Sequence, residues 1–244
     1  NDAAFNAWVT DITSPSNRGK VEGLLATMPL LAMLVVFGFL DSLTQNGKWI
    51  QFFAIVGGVV ALSGLAGMFI IKDKAIPKKD SKYFKDIIYG FRPSVIRDNK
   101  LLYLMFITVC ALGIAQQVFM PYFIIYFEFF LGITDYALIL GAVLIMASVL
   151  SVILGRVVDK YGKSKFLLMA GIIYIIGMLG LYIFGKTLKD NRTLTTIFTT
   201  IMGILTMGAY LLAMIVLNSS TRDLLPKGHV GHFTGIRMIF FVMV

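Results

Sequence analysis

Apolar residues in this chain do not alternate with polar ones; they come in long uncharged runs separated by short charged segments. The runs are Leu24–Leu40 (17 residues), Trp49–Ile71 (23), Leu101–Phe127 (27), Tyr136–Gly155 (20), Phe166–Gly185 (20) and Thr193–Thr221 (29). A helix rises about 1.5 Å per residue, so roughly 18 to 20 apolar residues cross the ~30 Å hydrocarbon core of a bilayer. Five of the runs reach that length, and the first does once its flanks are counted. A water-soluble helix would carry a polar stripe every 3.6 residues, whereas these runs are apolar on all faces. A transmembrane barrel would need short segments of strict alternation, which are absent. The pattern predicts an all-α protein, a polytopic transmembrane helix bundle with six full spans and the start of a seventh in Ile236–Val244.

Composition agrees with this. Hydrophobic residues make up 58% and charged residues 14%, against about a quarter charged in soluble domains. Lys and Arg are distributed unequally between the connecting segments. Those around 10–20, 72–100, 155–165 and 218–237 carry 18 of them and the intervening loops 4. Cytoplasmic loops hold the excess of basic residues, so the first set is expected in the cytoplasm of a multi-pass cell-membrane protein. The net charge of +9 then reads as topology and attraction to anionic membrane lipid, with no nucleic acid implied. Cys110 is the single cysteine and forms no internal disulfide. His229 and His232 lack neighbouring carboxylate or thiol ligands, so no metal site and no cofactor is expected. Gly57, Gly58, Gly64 and Gly67 lie inside an apolar run and read as helix packing. No catalytic residues are identified. A membrane-embedded lipid enzyme would need acids, histidines or a nucleophile converging at the interface, and the sequence offers none. The chain begins with Asn1 and stops within an apolar run, which reads as an excerpt of a longer protein; no signal peptide is visible at its start.

The two ends of the chain resemble each other. At an offset of 212, Asp11, Gly19 and Gly23 fall on Asp223, Gly231 and Gly235, each set followed by an apolar run. Six spans lie between the copies, an even number, as a return to the same side of the membrane requires. This predicts a repeat of six helices.

Residues 155–165, Gly-Arg-Val-Val-Asp-Lys-Tyr-Gly-Lys-Ser-Lys, resemble the signature cytoplasmic loop of the major facilitator superfamily at every position: Gly155, Asp159, Lys160, Gly162, Lys163 and Lys165. Asp11, Arg18, Gly19 and Gly23 resemble that family's second element, between helices 4 and 5. The resemblance implies the major facilitator-type fold. Residues 1–71 would be the end of helix 4 with helices 5 and 6, residues 72–100 the cytoplasmic link between six-helix halves, and 101–244 helices 7 to 10 with the start of 11. Val230 stands where the first copy has Arg18, so no role of Arg18 transfers there. The stretch from Phe5 to Gly23 is also similar to sugar:cation symporters of the glycoside-pentoside-hexuronide kind.

Ala147, Ser151 and Gly155 form a small-residue stripe that lets a neighbouring helix approach closely. In the family fold the 155–165 loop lies beside the start of helix 5. Asp159 is therefore expected to dock on the helix N-terminus at Gly19–Gly23, as a latch closing the inner side; the alternative is a solvated turn whose charges only set topology. Within the link, Tyr83, Phe84, Ile87, Ile88 and Phe91 share one helical face, which suggests an amphipathic helix on the inner membrane surface.

Polar residues at mid-depth mark a transport path. Gln116 and Gln117 are the leading substrate candidates, followed within a turn and a half by Pro121, which frees a backbone carbonyl. Tyr122, Tyr126, Tyr174, Thr206 and Tyr210 are further candidates; the alternative for each is a helix-to-helix hydrogen bond. No carboxylate sits mid-span, so a site for a coupling proton or sodium ion is expected in helices 1 to 4 of the family fold; the alternative is a uniporter without coupling. The expected function is secondary active transport of a small-molecule solute, sugar-like with cation coupling. Efflux of amphiphilic compounds on the same fold, favoured by the abundance of Phe and Met, is the alternative.

Overall fold

The computed structural model describes residues 2–70, 89–133, 136–188, 191–226 and 230–242. All elements among them are helical: α1 (Asp2–Ile12), α2 (Arg18–Val35), a π-helical turn (Val36–Leu40), α3 (Asp41–Gln45), α4 (Trp49–Ile70), α5 (Pro93–Asp98), α6 (Lys100–Ile125), a second π-helical turn (Tyr126–Phe130), α7 (Tyr136–Tyr161), α8 (Ser164–Thr187), α9 (Arg192–Leu224) and α10 (Val230–Val242). Six stretches are long and apolar enough to cross a membrane: Arg18–Leu40, Trp49–Ile70, Lys100–Phe119, Ile139–Tyr161, Ser164–Thr187 and Arg192–Leu224. The chain is a multi-pass membrane protein.

It divides into two compact units, residues 32–82 and residues 1–31 with 83–244. In the smaller unit, α4 has no buried residue. Phe52 and Phe53 pack against Trp49 at its first turns, with ring centroids 6.3 and 6.4 Å away. A helix apolar all round needs a non-aqueous surrounding, which lipid supplies.

The larger unit is organised on α9. Asn191 caps it in an extended conformation, its Oδ1 accepting the Leu194 N–H at 3.2 Å. Its 33 residues give a rod of roughly 50 Å, longer than the hydrocarbon core, so its ends project. Small residues let neighbours close in. A Cβ on Gly177 of α8 would lie 2.3 Å from Thr206 Oγ1 of α9. Val158 of α7 and Ala170 of α8 form a buried cluster with Leu212, Ala213 and Val216, and Val109 of α6 another with Met214 and Leu217. A third cluster joins Val95 of α5 to Leu102, Tyr103 and Phe106 of α6 and to Phe233 and Ile236 of α10. There the Tyr103 hydroxyl donates to the Gly90 carbonyl.

The structure therefore describes the last part of the 72–100 link. Residues 89–99 pack against α6 and α10, with Tyr89 and His232 ring centroids 5.8 Å apart. The amphipathic helix expected over Tyr83–Phe91 falls largely outside the described residues, as does His229.

Candidate functional site: a charged cluster at one end of the bundle

The N-terminus of α2, the C-termini of α1, α7 and α9, and the N-terminus of α10 meet at one end of the larger unit. Four glycine or serine positions allow it. A Cβ on Gly19 would lie 2.8 Å from the Gly155 carbonyl oxygen, and one on Gly23 2.5 Å from that of Ser151. A Cβ on Gly155 would meet the Gly19 carbonyl oxygen at 2.4 Å. No side chain fits between these backbones. Ser151 Oγ, fully buried, donates to the Gly23 carbonyl at 3.1 Å.

This approach puts Asp159 on the first turn of α2. Its Oδ1 accepts the Gly19 N–H at 2.8 Å and its Oδ2 the Lys20 N–H at 2.7 Å. A helix N-terminus has unsatisfied N–H groups and a partial positive charge, so both carboxylate oxygens are matched. The α7 helix ends two residues later at Tyr161, and Gly162 follows with a φ of +90°, in the left-handed region that glycine tolerates best.

Beside it lies a cluster of charged residues. Arg18 Nη1 bonds Asp223 Oδ1 at 2.6 Å, and Lys163 binds the other oxygen of that carboxylate. Arg222 binds Glu22 through Nε. Its remaining nitrogens reach the Asn6 carbonyl at 2.5 Å, Thr10 Oγ1 at 2.9 Å and Asn6 Oδ1 at 2.8 Å. Arg237 of α10 reaches Asn6 Oδ1 at 3.3 Å and Asn218 Oδ1 at 2.8 Å. Glu22, Arg222 and Arg237 are 5%, 3% and 6% exposed, so these side chains are shut away from water.

Of the loop residues singled out in the sequence, the structure brings together Arg18, Gly19, Gly23, Gly155, Asp159 and Lys163. Asp11, Lys160 and Lys165 are exposed; Lys160 lies over the Tyr161 ring at 5.2 Å, and Asp11 joins none of these contacts. Asn6, Glu22, Arg222, Asn218 and Arg237 were not foreseen as site residues. One signal was available: Asn6 and Asn218 are a fourth identity at the offset of 212, and both accept from Arg237. Thr10 and Arg222 occupy equivalent positions at that offset and bond each other. The equivalence also accounts for Asp11. Its counterpart Asp223 pairs with Arg18, but the mirror pair would need a cation at 230, where Val230 stands.

The mid-span candidates do not converge on one point. Gln116 is buried, while Gln117, one residue on, is exposed. Tyr122 and Tyr126 line a cavity of about 240 Å³ between α6 and α8, with Phe119, Phe123, Met178, Leu181 and Tyr182. The Tyr126 hydroxyl donates to the Leu181 carbonyl at 2.5 Å. Thr206 is sealed in the α8–α9 contact, its hydroxyl donating to the Met202 carbonyl at 2.8 Å. Tyr174 has a buried hydroxyl without a partner, and Tyr210 packs against the Val109, Met214 and Leu217 cluster.

The family model described as Major Facilitator Superfamily matches residues 1–244. The chain belongs to the major facilitator superfamily. No curated protein and no solved structure matches it significantly. Members of this superfamily are secondary transporters that move small solutes across membranes, and the apolar spans of this one suit lipid contact. In this major facilitator protein the α2 and α7 backbones meet at one end of the larger unit with no room for a side chain between them.

Proposed function

We propose that this major facilitator protein carries a small solute by alternating access, and that the contacts of α1 and α2 with α7, α9 and α10 form its cytoplasmic seal. The observation that supports this is the docking of Asp159 on the Gly19 and Lys20 amides, across backbones too close for any side chain. Backbones this close leave no intermediate packing for a side chain to fill, which supports a two-state gate. The excess of basic residues in the segments that hold it supports the cytoplasmic orientation. The offset of 212 supports assigning residues 1–71 and 101–244 to two pseudo-symmetric halves joined by the 72–100 link.

Two readings of the cargo are kept because each rests on its own observation. Gln116 and Gln117, with the resemblance of Phe5–Gly23 to sugar:cation symporters, support a hydrogen-bonding, sugar-like solute coupled to a proton or sodium ion. The aromatic walls between α6 and α8 support an amphiphilic solute, since ring faces and a thioether contact apolar groups and leave only phenol hydroxyls to orient them. Uptake of a labelled sugar panel and efflux of amphiphilic dyes, assayed side by side in vesicles with the full-length protein, separate them. Sugar uptake stimulated by a sodium or proton gradient supports the first. Dye efflux without sugar uptake supports the second, and activity in neither assay refutes both.

A further inference from the structure

Among the described residues, the buried part of the seal holds two cations, Arg222 and Arg237, and one anion, Glu22. Glu22 is bound by Arg222, whose other nitrogens are also occupied, by Thr10 Oγ1 and two oxygens of Asn6. Arg237 has no carboxylate within ion-pair distance among the described residues. Its Nη atoms reach only the neutral amide oxygens of Asn6 and Asn218, and its Nε is buried without a partner. Asn6 Oδ1 accepts from both guanidiniums, at 2.8 and 3.3 Å, which holds two like charges side by side. A guanidinium does not deprotonate in a protein, and a buried charge without a counter-ion is strongly unfavourable. The closed seal therefore carries an uncompensated positive charge.

When α1 and α2 leave α9 and α10, Glu22, Thr10 and Asn6 go with them. Arg222 then loses every partner named above, and Arg237 retains only Asn218. The face left behind presents two guanidiniums with unoccupied N–H groups in planar forks, the geometry that binds carboxylate or phosphate bidentately.

We propose that Arg222 and Arg237 form a site for a small soluble oxyanion of the carboxylate or phosphate type, closed in the sealed conformation and available only in the open one. This rests on the reading of the contact as a seal that opens. A ligand that binds only one of two states shifts the population toward it, so a cytoplasmic oxyanion promotes opening. The two guanidiniums lie on the face that α1 covers in the sealed conformation, so opening exposes them to the space between helices, which a soluble anion enters more readily than a lipid headgroup.

The test uses the full-length transporter with Cys110→Ala and spin labels at Ser16→Cys and Tyr161→Cys, exposed positions on the two sides of the seal, in nanodiscs of zwitterionic lipid. Dipolar distance distributions are recorded in inorganic phosphate and in chloride at equal ionic strength. Saturating phosphate is expected to raise the open-to-closed ratio by about tenfold over chloride. Arg237→Gln should lower basal opening and abolish the phosphate response. Arg237→Lys should keep a weaker response, because an ammonium attracts the anion without the fork. Equal distributions in phosphate and chloride would overturn the proposal without needing any Arg237 variant, as would an Arg237→Gln protein that responds like the parent. If Asp159→Asn opens the seal while phosphate has no effect, the oxyanion site is refuted and the seal stands. One unchanged distance under every condition refutes both.

Discussion

Replacing Asp159 with Asn tests the seal with the smallest change in shape. The carboxylate is half-buried and accepts two first-turn amides of α2, at 2.8 and 2.7 Å. An asparagine keeps one acceptor oxygen and turns an N–H₂ toward the second amide, so one charge-assisted hydrogen bond becomes a donor facing a donor. The full negative charge at the helix N-terminus is lost as well. Charge–helix interactions are worth about 0.3–1 kcal/mol when exposed and up to ~2 when partly buried, and hydrogen bonds to charged groups about 1.5–3 kcal/mol. The two figures describe overlapping physics and do not add, so a loss of about 1–2 kcal/mol is expected. That corresponds to a roughly 5- to 30-fold shift toward the open state.

The assay places a thiol under the contact, as Ser151→Cys in a Cys110→Ala background, where the side chain is fully buried against Gly23. Alkylation by a membrane-impermeant maleimide from the cytoplasmic side then requires opening. When opening and closing are fast relative to labelling, the rate follows the open population. Asp159→Asn should raise the labelling rate by about 5- to 30-fold. A rate equal to that of the parent, in protein of unchanged stability, would mean that the carboxylate is solvated in the working cycle and that the docking does not hold the gate.

Gly155→Val should prevent closure, because its side chain would meet Gly19 and Gly23 backbone that has no rotamer to yield; transport is lost while the protein stays monodisperse, with Ser151→Cys labelled at its maximal rate. Arg222→Met takes from Glu22 its hydrogen-bonded partner, leaving Arg237 as the other buried cation of the cluster, and should favour opening by about 1–3 kcal/mol; adding Glu22→Leu should recover part of that closure, measured by the same labelling rate as a double-mutant cycle. Gly185→Ala should lower thermal stability, because the new Cβ would lie 1.9 Å from the Tyr126 hydroxyl; combining it with Tyr126→Phe should restore part of the loss, read as a melting midpoint in detergent.

The spans were legible because a helix surrounded by lipid must be apolar on all sides, so a run's length alone predicts it; α4, with no buried residue, is the clearest instance. The 155–165 loop was legible because its glycines and charges lie within eleven consecutive positions. The ion pairs were not. Glu22 and Arg222 are 200 residues apart and Arg18 and Asp223 205, and no local pattern records which two charges at one end of a bundle will meet. Mid-span polar residues were ambiguous for a different reason. A threonine hydroxyl can satisfy itself on its own helix, as Thr206 does on Met202, and then it says nothing about a cavity. The pairing of Tyr122 and Tyr126 with Met178 and Tyr182 depends on the relative register of α6 and α8, which neither helix encodes by itself.

On the proposed gating the seal opens in every cycle, so it cannot be as strong as a sum of its bonds suggests. The Arg18–Asp223–Lys163 group is partly solvated, with the Asp223 side chain 29% exposed, and pairs of this kind are worth about 0–1 kcal/mol. The buried Glu22–Arg222 pair roughly offsets its own desolvation. That leaves the Asp159 docking, about 1–2 kcal/mol, and the close packing around Gly19, Gly23 and Gly155 to favour closure. The unneutralised Arg237 acts against them. The net preference is then small enough for a solute gradient, or an ion that binds one state, to reverse it. In this arrangement the glycines decide whether the helices can meet at all, while the excess positive charge keeps the closed state from becoming permanent. Removing that charge should therefore slow transport even though it makes the closed structure more stable.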